Sequence, residues 1–263
     1  MQVERIWAAN NYRNFHYLIA CPETGEALAV DPLDWQRCLS AARQHGWTIT
    51  QILNTHEHED HTGGNAGMVA ATGARVLAHA GAASRIGGVD VGLAKGDVVR
   101  VGRSVELECL DTPGHTMAHI CLFAHAATPA LFCGDTLFNA GVGNCHNGGA
   151  ADVLYDTFAN QLFDLPGNTL VYPGHEYLGR NLEFTLDREP GNVDAAQWLP
   201  EAKAHDAARA RVTTLDEERL INTFFRLRNP QLIARLREVF ADLPAQPDAK
   251  TVFMKLRELR NRW

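Results

Sequence analysis

The segment Thr55–His61 places metal-binding side chains directly after an apolar, β-branched run. Thr48–Asn54 (TITQILN) predicts a buried strand, and the next residues read THEHEDH. Three histidines and an aspartate within six residues are a ligand set that suits zinc, iron or manganese. A loop at the end of a strand can bring together side chains that a regular element would point apart. The segment therefore predicts a sheet with a metal site at one edge.

Three further candidate ligands each follow an apolar strand and a glycine. They are His115 in DTPGHT, Asp135 in CGDT and His175 in YPGHE. A glycine before a ligand permits a tight turn and a close approach of the backbone. Each of these pairs alone is more typical of an ordinary turn, and the HEHEDH run alone is compatible with a His-rich surface loop. The ordered set indicates a metal centre instead, and its members are His56, His58, Asp60, His61, His115, Asp135 and His175.

Short strand-like runs alternate with helices in the first two thirds of the chain, and helices dominate afterwards. This pattern predicts an α/β region with a substantial sheet at 1–176 and an α-helical region at 177–263. Strands are expected at Phe15–Cys21, Ala27–Val30, Thr48–Asn54, Arg75–Ala78, Val98–Val101, Val105–Leu110, Ile120–Phe123, Leu131–Cys133 and Thr169–Tyr172. Helices are expected at Asp34–His45, Gly64–Thr72, Ala150–Leu165, Tyr177–Leu186, Ala195–Arg211, Gln231–Phe240 and Ala249–Arg262.

Composition and charge exclude several partners. The chain has 263 residues, 46% of them hydrophobic, which is ordinary for a globular protein, and its net charge of −7 argues against nucleic-acid binding. No apolar run approaches the roughly 20 residues that cross a bilayer, and the N-terminus has no apolar signal core. The six cysteines are scattered without a CxxC pair, which is typical of free thiols in a reducing compartment. We therefore expect a cytoplasmic protein with no membrane or nucleic-acid partner.

The seven candidate ligands, in this order along the chain, resemble the metallo-β-lactamase superfamily. Within it the chain is similar to the glyoxalase II, or hydroxyacylglutathione hydrolase, family. The similar segments are Asp111–Thr116, Gly134–Phe138, Gly174–Tyr177, Asp187–Asn192 and Arg257–Arg260. The resemblance covers nearly the whole chain. It implies an α/β fold, the αββα sandwich of the superfamily, with a C-terminal α-helical domain that binds substrate.

The resemblance also implies a role for each ligand. His56, His58 and His115 would bind one metal, Asp60, His61 and His175 would bind a second, and Asp135 would bridge the two. Two divalent ions, most simply zinc with iron or manganese as alternatives, lower the pKa of a shared water to about 7. Asp60 beside the bridge would accept a hydrogen bond from the resulting hydroxide. Asp60 and Asp135 are therefore the predicted catalytic carboxylates.

The function implied is hydrolysis of a thioester by a dinuclear metal enzyme. The substrate would be S-D-lactoylglutathione or a related hydroxyacyl-thiol, and the products a hydroxy acid and a free thiol. Two alternatives stay open: a mononuclear iron enzyme similar to the persulfide dioxygenases, and a metallohydrolase of another ester, lactone or lactam. A closed structural zinc site is disfavoured, because such sites use four ligands that are often clustered cysteines.

The implied substrate contacts depart from the family pattern. Tyr177 and Arg257 are retained, and Arg260 replaces a lysine. Asn144 and His146 stand where the family has a Lys-x-Tyr pair. One cation that would meet an anionic glutathione is therefore missing, although an arginine at 260 can still pair with a carboxylate.

Two residues near the ligands have competing interpretations. His119, four residues after His115, is either an outer partner of a ligand or a packed strand residue. Cys133, two residues before Asp135, is expected to be a buried strand residue and not a nucleophile.

Overall fold

The computed structural model describes residues 1–263 and contains two six-stranded sheets and a short hairpin. One sheet has the order β1-β2-β3-β4-β5-β6, and the other has the order β14-β13-β10-β9-β8-β7. The strands are β1 (Gln2–Trp7), β2 (Phe15–Ala20), β3 (Glu26–Val30), β4 (Thr48–Asn54), β5 (Arg75–His79), β6 (Val91–Leu93), β7 (Val98–Val101), β8 (Val105–Asp111), β9 (Ile120–Ala124), β10 (Ala130–Gly134), β11 (Leu137–Phe138), β12 (Gly141–Val142), β13 (Leu170–Pro173) and β14 (Thr213–Thr214).

The helices lie outside the sheets and dominate the last third of the chain. They are α1 (Trp35–His45), α2 (Glu59–Thr62), α3 (Asn65–Thr72), α4 (Ala151–Thr157), α5 (Leu178–Arg188), α6 (Val193–Ala204), α7 (Leu215–Ile221), α8 (Pro230–Val239) and α9 (Ala249–Arg260). Helix α1 begins where the Asp34 side chain accepts a hydrogen bond from the Arg37 amide, and it ends at Gly46 in the left-handed conformation. None of the helices combines the length and hydropathy that crossing a bilayer requires.

Three apolar layers hold the fold together. Buried side chains from both sheets, such as Leu28 and Phe132, form the layer between them. The outer face of the first sheet packs on α1 and α3, where Cys38 and Met68 are buried. The outer face of the second sheet packs on α4, α7, α8 and α9 in a cluster of 22 buried residues. The layers confirm the αββα sandwich with its C-terminal helical region.

Strand direction places the ends of several strands at one edge of the sandwich. Strands β3, β4 and β5 are parallel neighbours, so their carboxyl ends meet there. In the second sheet β10 is parallel to β13, and β8 runs the same way because it is antiparallel to β9, which is antiparallel to β10. Every predicted metal ligand follows β4, β8, β10 or β13. The topology therefore brings four distant chain segments to the same edge.

Some predicted elements differ from those observed. The expected helix at 195–211 is α6, which ends at Ala204, and a 3₁₀ turn capped by Asp206 follows it. The expected helix at 150–165 is α4 followed by a π-helical turn at Phe158–Leu162. The sequence did not predict β1, β6, β11, β12, β14, α2 or α7. Because β14 pairs antiparallel with β13, the helical region also contributes an edge strand to the second sheet.

Candidate metal centre

All seven predicted ligands converge at this edge. The loop after β4 and the short helix α2 provide the first four, and the turns after β8, β10 and β13 provide one each. They form overlapping sets in which the ligand atoms lie within 4.8 Å of one another. The first group is His56 with His58 and His115, and the second group is Asp60 with His61 and His175. A third set, His56 with His61 and Asp135, connects the two groups.

In the first group, ring nitrogens of the three histidines face one another without a hydrogen-bond donor between them. Nδ1 of His58 lies 3.0 Å from Nε2 of His56 and 3.1 Å from Nε2 of His115. The opposite nitrogen of His58 meets the Asn147 carbonyl at 3.1 Å, and that of His115 meets the Asn144 carbonyl at 2.6 Å. Because a carbonyl only accepts, each of those nitrogens carries the ring proton. The nitrogens that face each other are therefore two lone pairs without a proton between them.

The tautomer of His56 is fixed by the hydroxyl group of Thr55. Oγ1 of Thr55 donates to Oδ2 of Asp31 at 2.7 Å and lies 3.0 Å from Nδ1 of His56. Since the hydroxyl proton is committed to Asp31, Nδ1 of His56 donates to Thr55. Nε2 of His56 is then the third lone pair directed into the group.

The second group repeats the arrangement with different partners. Nε2 of His61 lies 3.2 Å from Nε2 of His175. Nδ1 of His61 meets the Asp31 carboxylate at 2.9 Å, and Nδ1 of His175 meets the Tyr12 carbonyl at 2.8 Å. Oδ2 of Asp60 completes the group at 3.4 Å from Nε2 of His175. The Nε2 atoms of both rings and a carboxylate oxygen thus face one another.

Asp135 lies between the two groups. Its Oδ2 is 3.5 Å from Nε2 of His115 and 3.2 Å from Nε2 of His175, and its Oδ1 is 3.4 Å from Nε2 of His61. Oδ1 is buried and has no hydrogen-bond partner. A buried oxygen without a partner among converging lone pairs fits cation binding.

The electrostatics of the site favour positive charge at its centre. Burial lowers the pKa of His56 well below its usual value, so this imidazole is neutral. Burial also acts to lower the pKa of His61, but the carboxylates of Asp135 and Asp31 outweigh it and raise that pKa to about 9. Burial opposes ionisation of Asp135, yet the surrounding His175 and His61 hold its pKa well below the usual range. The carboxylates around His61 therefore favour a positive charge at this position, either a proton or a metal ion that displaces it.

Several outer partners were absent from the sequence-based site. Asp31 follows β3 at the same edge, and Asn14 donates to the carbonyl of Asp60 at 3.2 Å and to its Oδ2 at 3.4 Å. His119 is buried, and its Nε2 accepts from the amide of Asp135 at 3.3 Å. Of the two interpretations of His119, contact with the backbone of a ligand is the one observed. Cys133 is fully buried in β10.

The five predicted substrate contacts line one cavity of about 210 Å³ next to the metal centre. They are Asn144, His146, Tyr177, Arg257 and Arg260, and the other lining residues are Phe138, Val142, Asn181 and Asn261. The Tyr177 ring stacks on the ligand His175 with centroids 5.2 Å apart, so the cavity adjoins the second group. Arg260 is half-buried and donates to Oδ1 of Asn181 at 3.2 Å.

Comparison with known proteins agrees with this fold and site. Residues 18–175 match the family model of the metallo-β-lactamase superfamily, and residues 176–263 match that of the hydroxyacylglutathione hydrolase C-terminus. The structure of ETHE1 from Myxococcus xanthus is similar, with a TM-score of 0.68 and 26% identity over 99% of this chain and 98% of that one. The fold and the converging ligands thus define a metallo-β-lactamase-type enzyme.

Relatives that match the full chain identify the family within this class of enzyme. Hydroxyacylglutathione hydrolases from Polaromonas sp. and Nitrosococcus oceani are 65% and 63% identical over 263 residues, which is 100% of both chains in each case. The chain belongs to the hydroxyacylglutathione hydrolase, or glyoxalase II, family. It is a metal-dependent thioester hydrolase, and the persulfide dioxygenase alternative is not favoured.

Proposed function

We propose that the protein hydrolyses a 2-hydroxyacylglutathione, S-D-lactoylglutathione or a close relative, to a hydroxy acid and glutathione. The proposal rests on one arrangement: two groups of converging imidazoles share the Asp135 carboxylate, beside a cavity lined by Arg260 and Tyr177. The relatives that match the full chain are named for this substrate class.

We propose that the centre holds two divalent ions, most simply zinc, with iron or manganese as alternatives. His56, His58 and His115 would hold one, Asp60, His61 and His175 the other, and Asp135 both. The residues fit, because every candidate imidazole directs a ring nitrogen inward and Oδ1 of Asp135 is buried without a hydrogen-bond partner. Bound ions of this kind supply hydroxide at neutral pH, polarise a carbonyl oxygen and stabilise a departing thiolate.

The chain's own groups orient the reactants. The side chain of Asp60 is 21% exposed, and its carboxylate would accept a hydrogen bond from the attacking water. The side-chain amide of Asn14 donates hydrogen bonds to the backbone carbonyl and the carboxylate of Asp60. The ring of Phe138 packs edge-on against Tyr177 with centroids 5.2 Å apart and closes one wall of the cavity. These contacts would orient the attacking water relative to the carbonyl carbon.

The thiol portion would occupy the cavity between β12, α5 and α9. Arg260 has donors beyond its bond to Asn181 and would pair with a glutathione carboxylate. Tyr177, Asn144 and His146 would supply further polar contacts. Arg257 lines the same cavity, but its Nη1 and Nε are committed to protein partners.

The function is tested by turnover of S-D-lactoylglutathione with protein that has been stripped of metal and reloaded with zinc. The same preparation is tested on an uncharged lactoyl thioester, a lactone and a β-lactam. We expect hydrolysis of the glutathione thioester only after reloading and none by Asp135→Ala. Cleavage of the lactone or lactam, with no thioester cleaved, would contradict the proposal.

We also propose two features of organisation and location. The region 1–176 would provide catalysis, and 177–263 would provide most of the substrate cavity, since α5 and α9 form one side of it. A cytoplasmic location is supported by all six cysteines being free thiols, as is usual in a reducing compartment.

A further inference from the structure

Side chains of the helical region hold the β11–β12 hairpin at consecutive residues. The hairpin has only two residues in each strand, and Ala140 at its turn has a φ of 57°, a left-handed conformation that is unfavourable for a non-glycine residue. A hairpin of this size is not stable by itself. The contacts that hold it are Asn181 Nδ2 to Asn139 O at 2.9 Å, Ala140 N to Glu218 Oε2 at 2.8 Å, Asn222 Nδ2 to Gly141 O at 3.1 Å, and Arg257 Nη1 to Val142 O at 2.9 Å and Gly143 O at 3.0 Å.

The end of this hairpin touches the metal centre. The residue after Gly143 is Asn144, whose carbonyl holds Nδ1 of His115 at 2.6 Å. A Cβ at Gly143 would overlap the carbonyl oxygen of Asp135 and come within 3.0 Å of Nδ1 of His115. The hairpin is therefore packed directly against two ligands, and its position sets the orientation of the His115 ring.

Arg257 makes two of these contacts and is a buried cation. It is 4% exposed, and its partners are the two hairpin carbonyls and Oδ1 of Asn261 at 3.0 Å. None of the ion pairs of the protein includes it, and burial lowers its pKa to about 10. Burying a guanidinium without a carboxylate partner costs free energy. The hydrogen bonds to the backbone carbonyls of Val142 and Gly143 offset part of that cost.

We propose that Arg257 is a positioning residue for the metal centre. By fixing the carbonyls of Val142 and Gly143, it places the carbonyl of Asn144 against Nδ1 of His115, which keeps Nε2 of His115 directed at its metal. Helix α9 thereby acts on a ligand in the other part of the molecule. The inference rests on the proposed ligand role of His115 and goes beyond it, because it assigns Arg257 a task other than substrate binding.

The two roles of Arg257 predict different measurements. A substrate cation acts equally on the ground state and the transition state, so its loss raises KM and leaves metal binding unchanged. A residue that orients a ligand through its outer partner changes metal affinity, by about 10–100-fold for such partners. Metal affinity measured without substrate therefore separates the two.

The experiment compares Arg257→Met, Arg257→Lys and Arg260→Met by titration of metal-free protein with zinc alone against a chromophoric chelator. We expect Arg257→Met to weaken one of the two zinc equivalents by about 10–100-fold, and Arg257→Lys to weaken it less because it keeps a donor. Arg260→Met is the matched control, since Arg260 lies on the same helix and makes no hydrogen bond to the hairpin. It should bind zinc as the wild type does and raise KM only.

Arg257→Lys also serves if Arg257→Met fails to fold, and the near-ultraviolet circular dichroism of both variants reports their packing. Wild-type zinc affinity in a folded Arg257→Met, with a raised KM, would overturn the proposal and identify a substrate cation. Because zinc binding is measured without substrate, a failure to cleave glutathione thioesters would refute the proposed substrate and leave this result intact.

Discussion

Oδ2 of Asp31 lies 2.9 Å from Nδ1 of His61 and also accepts the hydroxyl of Thr55, which in turn fixes the ring of His56. One buried carboxylate therefore orients an imidazole in each of the two ligand groups. Asp31 has a φ of 49°, in the left-handed region that aspartate tolerates better than most residues. Asp31 is thus the outer partner shared by both groups.

Replacing Asp31 should weaken metal binding at both groups. In Asp31→Asn the shape is kept, but the charge that holds the Nδ1 proton of His61 is lost, and we expect zinc affinity to fall by about 10–100-fold. The measurement is competitive chelator titration of metal-free protein. Asp34→Asn is the control, because Asp34 caps helix α1 and contacts no ligand side chain. Equal affinities in the wild type and Asp31→Asn would show that His61 is oriented by other contacts.

Asp135→Ala should be the most damaging change of a single ligand. It removes the only carboxylate that faces both groups, so each loses a ligand atom at once. We expect zinc content below two per protein and turnover reduced by more than about 100-fold, beyond the loss of an outer partner. Metal analysis and thioester kinetics on the same sample test this. Asp111→Ala provides the comparison, since Asp111 is 39% exposed and its ion-pair partner is His79. Two bound zinc ions and normal turnover in Asp135→Ala would refute the bridging role.

Removing the metals should abolish hydrolysis and leave the fold in place. The apolar layers lie between and outside the sheets, away from the edge where the ligands meet. We expect unchanged far-ultraviolet circular dichroism after chelation and full recovery of activity on adding zinc. The melting temperature should fall, because ligand at 100 times its Kd contributes about 2.7 kcal/mol to the free energy of unfolding. Activity in thoroughly chelated protein would contradict the metal requirement.

The convergence of the candidate ligands was predictable from the sequence, and their outer partners were not. His56, His58, Asp60 and His61 lie within six residues, and glycines mark the other three, so these signals are local. Asp31 and His61 are 30 residues apart, and Tyr12 and His175 are 163 apart. The partners of His115 and His175 are backbone carbonyls, which any residue offers, so no residue type marks them.

The same limit applies to the fold. Most apolar or β-branched strands of the two sheets were found, but the edge strands β1, β6 and β14 were missed. Gln2–Trp7 is a half-exposed edge strand with charged residues at its centre, and Thr213–Thr214 is two residues long. Such edges form because a neighbouring strand offers unpaired backbone groups, which the sequence of the edge does not reveal.

Glu218 should make stability depend on pH. Its carboxylate is fully buried and accepts from Thr213, Asn222 and the Ala140 amide, and burial raises its pKa from 4.5 to about 7. Because the folded state keeps a proton that the unfolded chain has released, the free energy of unfolding falls as the pH rises from about 4.5 to about 7. The loss is about 3 kcal/mol.

Urea unfolding of the wild type and Glu218→Gln across this pH range tests the assignment. The variant keeps a hydrogen-bonding group and cannot titrate, so its stability relative to the wild type should improve as the pH rises. Glu201→Gln is the control, because Glu201 is exposed. A difference between wild type and Glu218→Gln that is constant from about pH 4.5 to pH 7 would show that Glu218 is ionised throughout that range.

A lysine at position 144 should improve the use of a glutathione thioester. Asn144 is half-buried in the cavity wall and faces the space that Arg260 also lines, so Asn144→Lys adds a cation where an anionic thiol would bind. The contact to His115 uses the backbone carbonyl of residue 144 and survives the substitution. A new charge-assisted hydrogen bond contributes about 1.5–3 kcal/mol, so kcat/KM for S-D-lactoylglutathione should rise by about 10–100-fold, mostly through KM. The gain should shrink with added salt and be absent for an uncharged lactoyl thioester. Unchanged kinetics on both thioesters would mean that the thiol portion binds away from position 144.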